Sequence, residues 1–270
     1  MKTKKLLALL MAGAMSVSML SGCGGSAAKT DDSSADATDT SASAESDIDY
    51  VKSNGKLVIG ITDFAPMDYK EDGSDEWVGF DADMAKAFAE SLGVKAEFIE
   101  INWDNKIMEL DSKGVDAVWN GMTLTDEVKT SMNCSDPYAT NAQVVVVPSD
   151  KADAAKDIES IKDMAFAVES GSAGKAEVEK LGYSFTEVKD QATALMEVAA
   201  GTADAAVIDS LMAGAMVGAM AGIDAVPQVW RDKISEMNAC NFAKDADEIL
   251  ALIPQWHVAS ESDVADLIKE

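Results

Sequence analysis

The chain is short of histidine, arginine and cysteine. His257 is the one histidine and Arg231 the one arginine in 270 residues, and the cysteines are Cys23, Cys134 and Cys240. A single imidazole excludes His-based triads and most imidazole general-base chemistry. No His/Cys spacing fits a metal site, so neither a metal nor a cofactor is expected, and no residue is assigned a catalytic role. Positive charge is scarce as well: 22 Lys and Arg stand against 48 Asp and Glu, a formal net charge of -26. That balance argues against nucleic acid as a partner and against docking on anionic lipid; its simplest role is to keep an exported protein soluble. Long apolar runs are missing too. The stretch between Asp209 and Asp224, with Met212, Met216 and Met220, is shorter than the ~20 residues a membrane span needs and reads as a buried helix.

What is present suffices for a folded body. The chain is long enough for one large or two medium domains with a sizeable core. Apolar residues make up 47% and charged residues 26%, ordinary values for a globular protein. The N-terminus reads as a targeting segment: Lys2, Lys4 and Lys5 form a basic start, and Leu6 to Leu20 an apolar core too short to span a membrane. Leu20-Ser21-Gly22-Cys23 resembles the lipobox of bacterial lipoproteins, which implies removal of residues 1–22 and a lipid on Cys23. The expected location is the extracytoplasmic face of the cell membrane, held by that lipid. Residues 23–47 are small, polar and acidic beyond the cysteine and read as a flexible tether. Cys134 and Cys240 could bridge in an exported protein, but two separate buried thiols is the simpler reading.

From Ile48 the pattern alternates between strand and helix. Lys56 to Thr62 reads as a strand. Gly79-Phe80-Asp81 opens a helix with Met84, Ala87, Phe88 and Leu92 on one face. Strands follow at Ala96 to Ile101 and Asp116 to Asn120, with a short helix from Lys106 to Ser112 between them. This β-α-β-α-β order predicts a parallel sheet flanked by helices, with ligands at the carboxyl ends of the strands. A second unit repeats the order: a short helix at Ile158 to Met164, strands at Ala165 to Val168, Phe185 to Val188 and Ala205 to Ile208, helices at Lys175 to Leu181 and Gln191 to Ala200, and a last helix from Ser210 to Met220. Two such units joined by the extended Gln143 to Val147 predict two α/β lobes with a cleft between them, a usual place for a small ligand. The expected division is 48–142 for the first lobe, 143–218 for the second, and 219–270 for an atypical segment returning to the first.

The stretches VGFDADMAKAFAESLGV, VDAVWNGMTLTDEVKTSMNCSDPY and GTADAAVIDS, in this order after a lipobox, resemble the extracellular solute-binding receptors of ABC importers, in particular the family that binds polar amino acids. The resemblance covers roughly Lys56 to Val217. It implies a periplasmic-binding-protein-like fold, a monomer, a small amino-acid-like ligand held between the lobes, and a membrane permease as partner. It also implies site residues. Phe64 matches the aromatic wall beside the first strand, with core packing as the competing role. Asn120 and Gly121 match positions that offer backbone groups. Thr123 matches a hydroxyl contact, against a role in capping its turn. Ser172 and Ala173 match helix-start N–H groups facing a carboxylate. Asp209 matches the carboxylate that holds an α-ammonium, against a role as N-cap of the following helix.

Two departures stand out. The family places an arginine at the position of Val128 to clamp the ligand carboxylate in a forked pair of bonds, and valine offers no such bond. From about Ala219 onward the expected Gly- and aromatic-rich return strand is not recognisable, and the sequence reads as acidic and helix-like, with Trp230 and Trp256. The importer receptor therefore stands beside two alternatives. One is an enzyme on the same fold, a dehydratase or lyase, for which Glu169 could be nominated as a cleft acid. The other is a ligand-sensing subunit.

Overall fold

The computed structural model describes residues 46–226, 229 and 234–253, all within the compact unit Ser43–Glu270. The targeting segment, Cys23, the tether up to residue 45, Trp230, Arg231, Trp256 and His257 lie outside the described residues. The first described element is α1 (Asp47–Asn54), whose N-cap Ser46 accepts a hydrogen bond from the Asp49 N–H and which ends on the left-handed Gly55.

The first lobe follows in order: β1 (Lys56–Ile61), the short hairpin β2 (Tyr69–Lys70) and β3 (Trp77–Val78), α2 (Phe80–Ser91), β4 (Lys95–Glu100), a 3-10 turn at Trp103–Asn105, α3 (Lys106–Asp111), β5 (Ala117–Thr123), α4 (Asp126–Ser131) and β6 (Asn133–Cys134). The long β7 (Pro137–Pro148) leads into the second lobe. That lobe holds α5 (Ile158–Ile161), β8 (Ala165–Glu169), α6 (Ala173–Leu181), β9 (Ser184–Val188), α7 (Gln191–Ala200), β10 (Ala205–Asp209), α8 (Ser210–Met216) and β11 (Ile223–Ala225). The chain ends, as described, in β12 (Ile234–Phe242) and α9 (Asp247–Leu250).

The strand order is β4-β1-β5-β12-β7-β10-β8-β9, with β6 beside β12 and β11 beside β7. In the first lobe β4, β1 and β5 are parallel, and β12 runs antiparallel to β5. In the second lobe β10, β8 and β9 are parallel, and β7 runs antiparallel to β10. β7 serves both sheets: its first half, to Ala142, pairs with β12, and from Gln143 onward it pairs with β10 and β11. The parallel βαβ order expected from the alternation is thus present in each lobe, with antiparallel strands inserted where the lobes meet.

The core explains why these segments form strands. On β5, Ala117 and Trp119 face the layer that holds α2, while Val118 and Met122 face a separate cluster with Ile101, Leu110 and Val128. A strand buried on both faces reads as a continuous apolar run. β7 divides in the same way, with Val144 and Val146 on one side and Val145 and Val147 on the other. The packing of α2 differs from expectation in one respect. Its buried face is Ala82, Ala85, Phe88 and Ala89, and Ala87 is exposed. The alanines let the helix lie close to the sheet, so the small residues are fully buried and the larger Met84 packs half-buried against the same core.

The helical reading of the segment after Ala219 is incorrect for residues 223–225 and 234–242, and holds for the short α9. β11 and β12 are strands, and β12 lies at the centre of the first sheet, between β5 and β7. Asn238, Ala239, Cys240, Asn241 and Phe242 are all fully buried. The two asparagines hide the pattern. Asn238 Nδ2 donates to the Cys240 carbonyl and to Asn241 Oδ1, both at 2.9 Å, so two polar side chains satisfy each other inside the core. The return path is tied to β7 at both described ends: the Val226 N–H donates to the Val145 carbonyl at 2.8 Å, and Ile234 pairs with Ala142. The last helix of the second lobe also stops earlier than expected, at Met216. Cys134 and Cys240 are both free thiols; burial pushes each above its usual pKa.

Candidate functional site

A cavity of about 320 Å³ opens between the lobes, at the carboxyl ends of β1, β5, β8 and β10. All seven residues singled out for ligand contact line it: Phe64, Asn120, Gly121, Thr123, Ser172, Ala173 and Asp209. Val128 lines it as well.

Each is placed by its element. Asn120 ends the apolar part of β5, and its side chain ties that strand to β1. The Thr62 N–H donates to Asn120 Oδ1 and Asn120 Nδ2 donates to Thr62 Oγ1, both at 2.8 Å. Its side chain is therefore structural. Gly121 follows with φ +53, and a Cβ there would lie 3.0 Å from both Phe64 Cε1 and Met237 Sδ, so only glycine fits under the aromatic ring. Phe64 is 3% exposed and lines the cavity, and so acts both as core and as wall. Its loop is pinned by reciprocal backbone bonds with Asp68 at 2.7 and 3.0 Å. Behind this wall lies Asp81, which accepts from the Gly121 N–H and from the Tyr138 hydroxyl, the latter at 2.9 Å. Asp68 is fully buried beside it, and neither of its carboxylate oxygens has a donor among the described residues.

The start of α4 is capped by Thr125 and not by Thr123. Thr125 caps the helix, accepting from the Val128 N–H at 3.2 Å, and the Thr123 side chain is left facing the cavity. Val128 is 3% exposed and packs with Ile101, Trp103 and Leu110. On the opposite wall Ser172 caps α6 through its hydroxyl, which accepts from the Lys175 N–H at 3.0 Å. The N–H groups of Ala173 and Gly174 begin that helix and have no acceptor within it.

Asp209 ends β10 and occupies the N-cap position of α8, yet its side chain makes no capping bond. It turns instead into the cavity wall, where three amides hold it: Asn141, Gln143 at 2.7 Å, and Gln191. Burial raises its pKa, and the amides oppose that rise. The carboxylate is 8% exposed and makes no ion pair among the described residues. Glu169, 3% exposed, stands beside it and accepts a long bond from Gln191 at 3.4 Å. Burial first, and then the Asp209 charge, push its carboxyl up to about 8.

Several lining residues were not anticipated: Trp103, Lys106, Glu127 and Gln191. Lys106 is 9% exposed; its ammonium donates to the Trp103 carbonyl at 3.2 Å and to the Gly171 carbonyl at 3.0 Å, and sits 5.1 Å from the Trp103 ring centre. Gly171 belongs to the second lobe, so this bond crosses the cleft. Gly171 itself lies directly against Asp104, where a Cβ would come within 2.5 Å of the Asp104 Cα. Lys189 of the second lobe also pairs with Glu100 of the first. The lobes are thus in contact across the cavity.

Two α/β lobes joined through β7 and the return to β12, closed over a cavity with an aromatic wall, a helix start and a buried carboxylate, define a solute-binding protein. The chain belongs to the bacterial extracellular solute-binding proteins, family 3, whose profile matches residues 57–263. Among curated relatives it is 34% identical to the arginine-binding extracellular protein ArtP of Bacillus subtilis (strain 168) over 166 residues, 58% of this chain and 62% of ArtP. It is 28% identical to a glutamine-binding protein of Geobacillus stearothermophilus over 212 residues, 76% of this chain and 80% of that one. The arginine-bound form of truncated ArgBP from T. maritima superposes with a TM-score of 0.71 at 32% identity, covering 81% of this chain and 99% of that one. These are mixed α/β binding proteins, and the fold class read from the sequence agrees with them.

Proposed function

We propose that the protein is the ligand-binding component of an ABC importer and that it binds an α-amino acid, preferably one with a cationic side chain. The observation that carries this reading is Asp209. Its carboxylate is buried at the end of β10 and held by three neutral amides, so a ligand ammonium can reach a fixed and uncompensated anion. Phe64 supplies the apolar wall; the backbone of Gly121, the Thr123 hydroxyl and the helix start at Ser172 and Ala173 supply polar contacts. The preference for a cationic side chain is supported by the charge of the lining, in which Asp126, Glu127 and Asp209 outnumber Lys106. It is also supported by the arginine-binding names of several relatives. In this reading residues 48–142 and 143–218 form the two lobes and the segment from 219 completes the first. The protein is held at the outer face of the membrane by a lipid on Cys23 and passes its ligand, as a monomer, to a permease.

The test is a thermal-unfolding screen of the purified protein against the common amino acids, followed by calorimetric titration. A ligand at about 100 times its Kd adds about 2.7 kcal/mol to stability. For a body of this size that corresponds to a rise of about 5–10 °C in Tm. Asp209→Asn should abolish the rise while leaving the ligand-free Tm within a few degrees. An unchanged affinity in that variant would remove Asp209 from the site, and a cooperative transition that no amino acid shifts would overturn the receptor reading.

A further inference from the structure

We propose that Lys106 is the specificity-determining cation of the cleft and receives the carboxylate of the ligand. The inference rests on the receptor reading and adds to it the group that answers the ligand's negative end. An α-amino acid brings a carboxylate into a cavity whose lining carries the acidic side chains of Asp126, Glu127 and Asp209, besides Glu169, whose carboxyl burial pushes up to about 8. Something must offset that repulsion. Val128 has no donor and packs into an apolar cluster. Among the described residues lining the cavity, Lys106 is the one cationic side chain.

Its environment fits the role. The side chain is buried, and its ammonium makes no ion pair with any described carboxylate. Two of its three N–H bonds go to neutral backbone carbonyls, of Trp103 and Gly171, which leaves the ammonium one further N–H, and the residue lines the cavity. A buried ammonium is costly unless an anion meets it. Burial lowers the Lys106 pKa, while Glu127, Glu169 and Asp104 act from a distance to keep it charged. The position is also fixed. Lys106 is the first residue of α3, anchored by the buried Trp103 before it, and its bond to Gly171 forms only when the second lobe is against the first. A carboxylate placed on the third N–H would therefore lie where both lobes converge, next to the helix start at Ser172 and Ala173.

The experiment compares L-arginine with agmatine, the same molecule without its carboxylate, by calorimetric titration against the wild-type protein and the variants Lys106→Met and Lys106→Arg. The wild-type protein should prefer arginine. Lys106→Met should lose about 10- to 100-fold in arginine affinity, the worth of one charge-assisted hydrogen bond, and hold agmatine unchanged or more tightly. Lys106→Arg should restore part of the arginine preference. If Lys106→Met weakens both ligands alike, Lys106 only holds the lobes together and the proposal fails; it fails equally if the preference for arginine survives intact. Should Lys106→Met not unfold cooperatively, Lys106→Gln carries the same comparison. A wild-type protein that binds neither compound, nor any other amino acid in the screen, overturns the receptor reading itself, and this inference with it.

Discussion

At the scale of single residues, the acid pair behind the cleft has measurable consequences. Asp81 accepts from the Gly121 N–H and the Tyr138 hydroxyl, and burial pushes its carboxyl up to about 7. Burial, and then the Asp81 charge, raise Asp68 well above its usual range. A carboxyl whose pKa is raised by folding binds its proton more tightly in the folded chain than in the unfolded one. Its contribution to stability is then complete below the ordinary carboxylate pKa and is lost as pH rises through the folded value. The urea midpoint should therefore fall between pH 4 and about pH 7, and Asp81→Asn should flatten that fall. An equally steep profile in the variant would place the titration elsewhere. Glu169, raised to about 8, acts in the same direction at higher pH, and Glu169→Gln should flatten the upper part of the profile. Legibility at this scale is uneven. Asp209 is singled out by the family resemblance; local pattern alone, a strand ending on it and a helix beginning after it, offers it as an N-cap. Lys106 does not, because a lysine at the start of a short helix usually faces solvent, and only the approach of Gly171, 65 positions later, buries it. The amides around Asp209 are scattered over Asn141, Gln143 and Gln191, and no spacing rule connects them.

At the scale of elements, the informative strand is β12. The βαβ order of both lobes can be read from periodicity because β1, β5, β8 and β10 are runs of apolar residues closed by turns. β12 breaks that rule with two buried asparagines that bond to each other, and its partners lie over a hundred positions away in β5. Local pattern cannot show such a pairing. Its weight can be measured. Phe242 is fully buried, and Phe242→Ala should cost about 3–5 kcal/mol in urea denaturation, the range for large core truncations. A loss below 1 kcal/mol would mean that β12 is peripheral to the first lobe. Asn238→Ala tests the polar pair. It leaves a buried amide acceptor on Asn241 without its donor and should cost about 1–3 kcal/mol.

At the scale of the whole molecule, function depends on how closely the lobes approach. Gly171 is a point of close approach, with φ +71 and the Asp104 backbone where a Cβ would stand. Gly171→Ala should hold the lobes apart. Ligand affinity is expected to fall by about tenfold or more, and the compaction seen by small-angle scattering on adding ligand should shrink, since binding is coupled to a closed state that the variant populates less. Full compaction with unaltered affinity would show that the loop yields to the methyl group. The two-lobe plan itself was legible, because two βαβ units in succession leave few other arrangements. The contact at Gly171 was not, because it depends on two loops from different lobes.

The placement of β12 also sets an order on the birth of the molecule. The second lobe has all its described strands once the chain has been made to Ala225, but the first sheet stays split between β5 and β7 until residues 234–242 have emerged. The half of the protein that begins first finishes last. A chain that grows from its N-terminus therefore carries an incomplete first lobe, its central edges unpaired, through almost the whole of its synthesis.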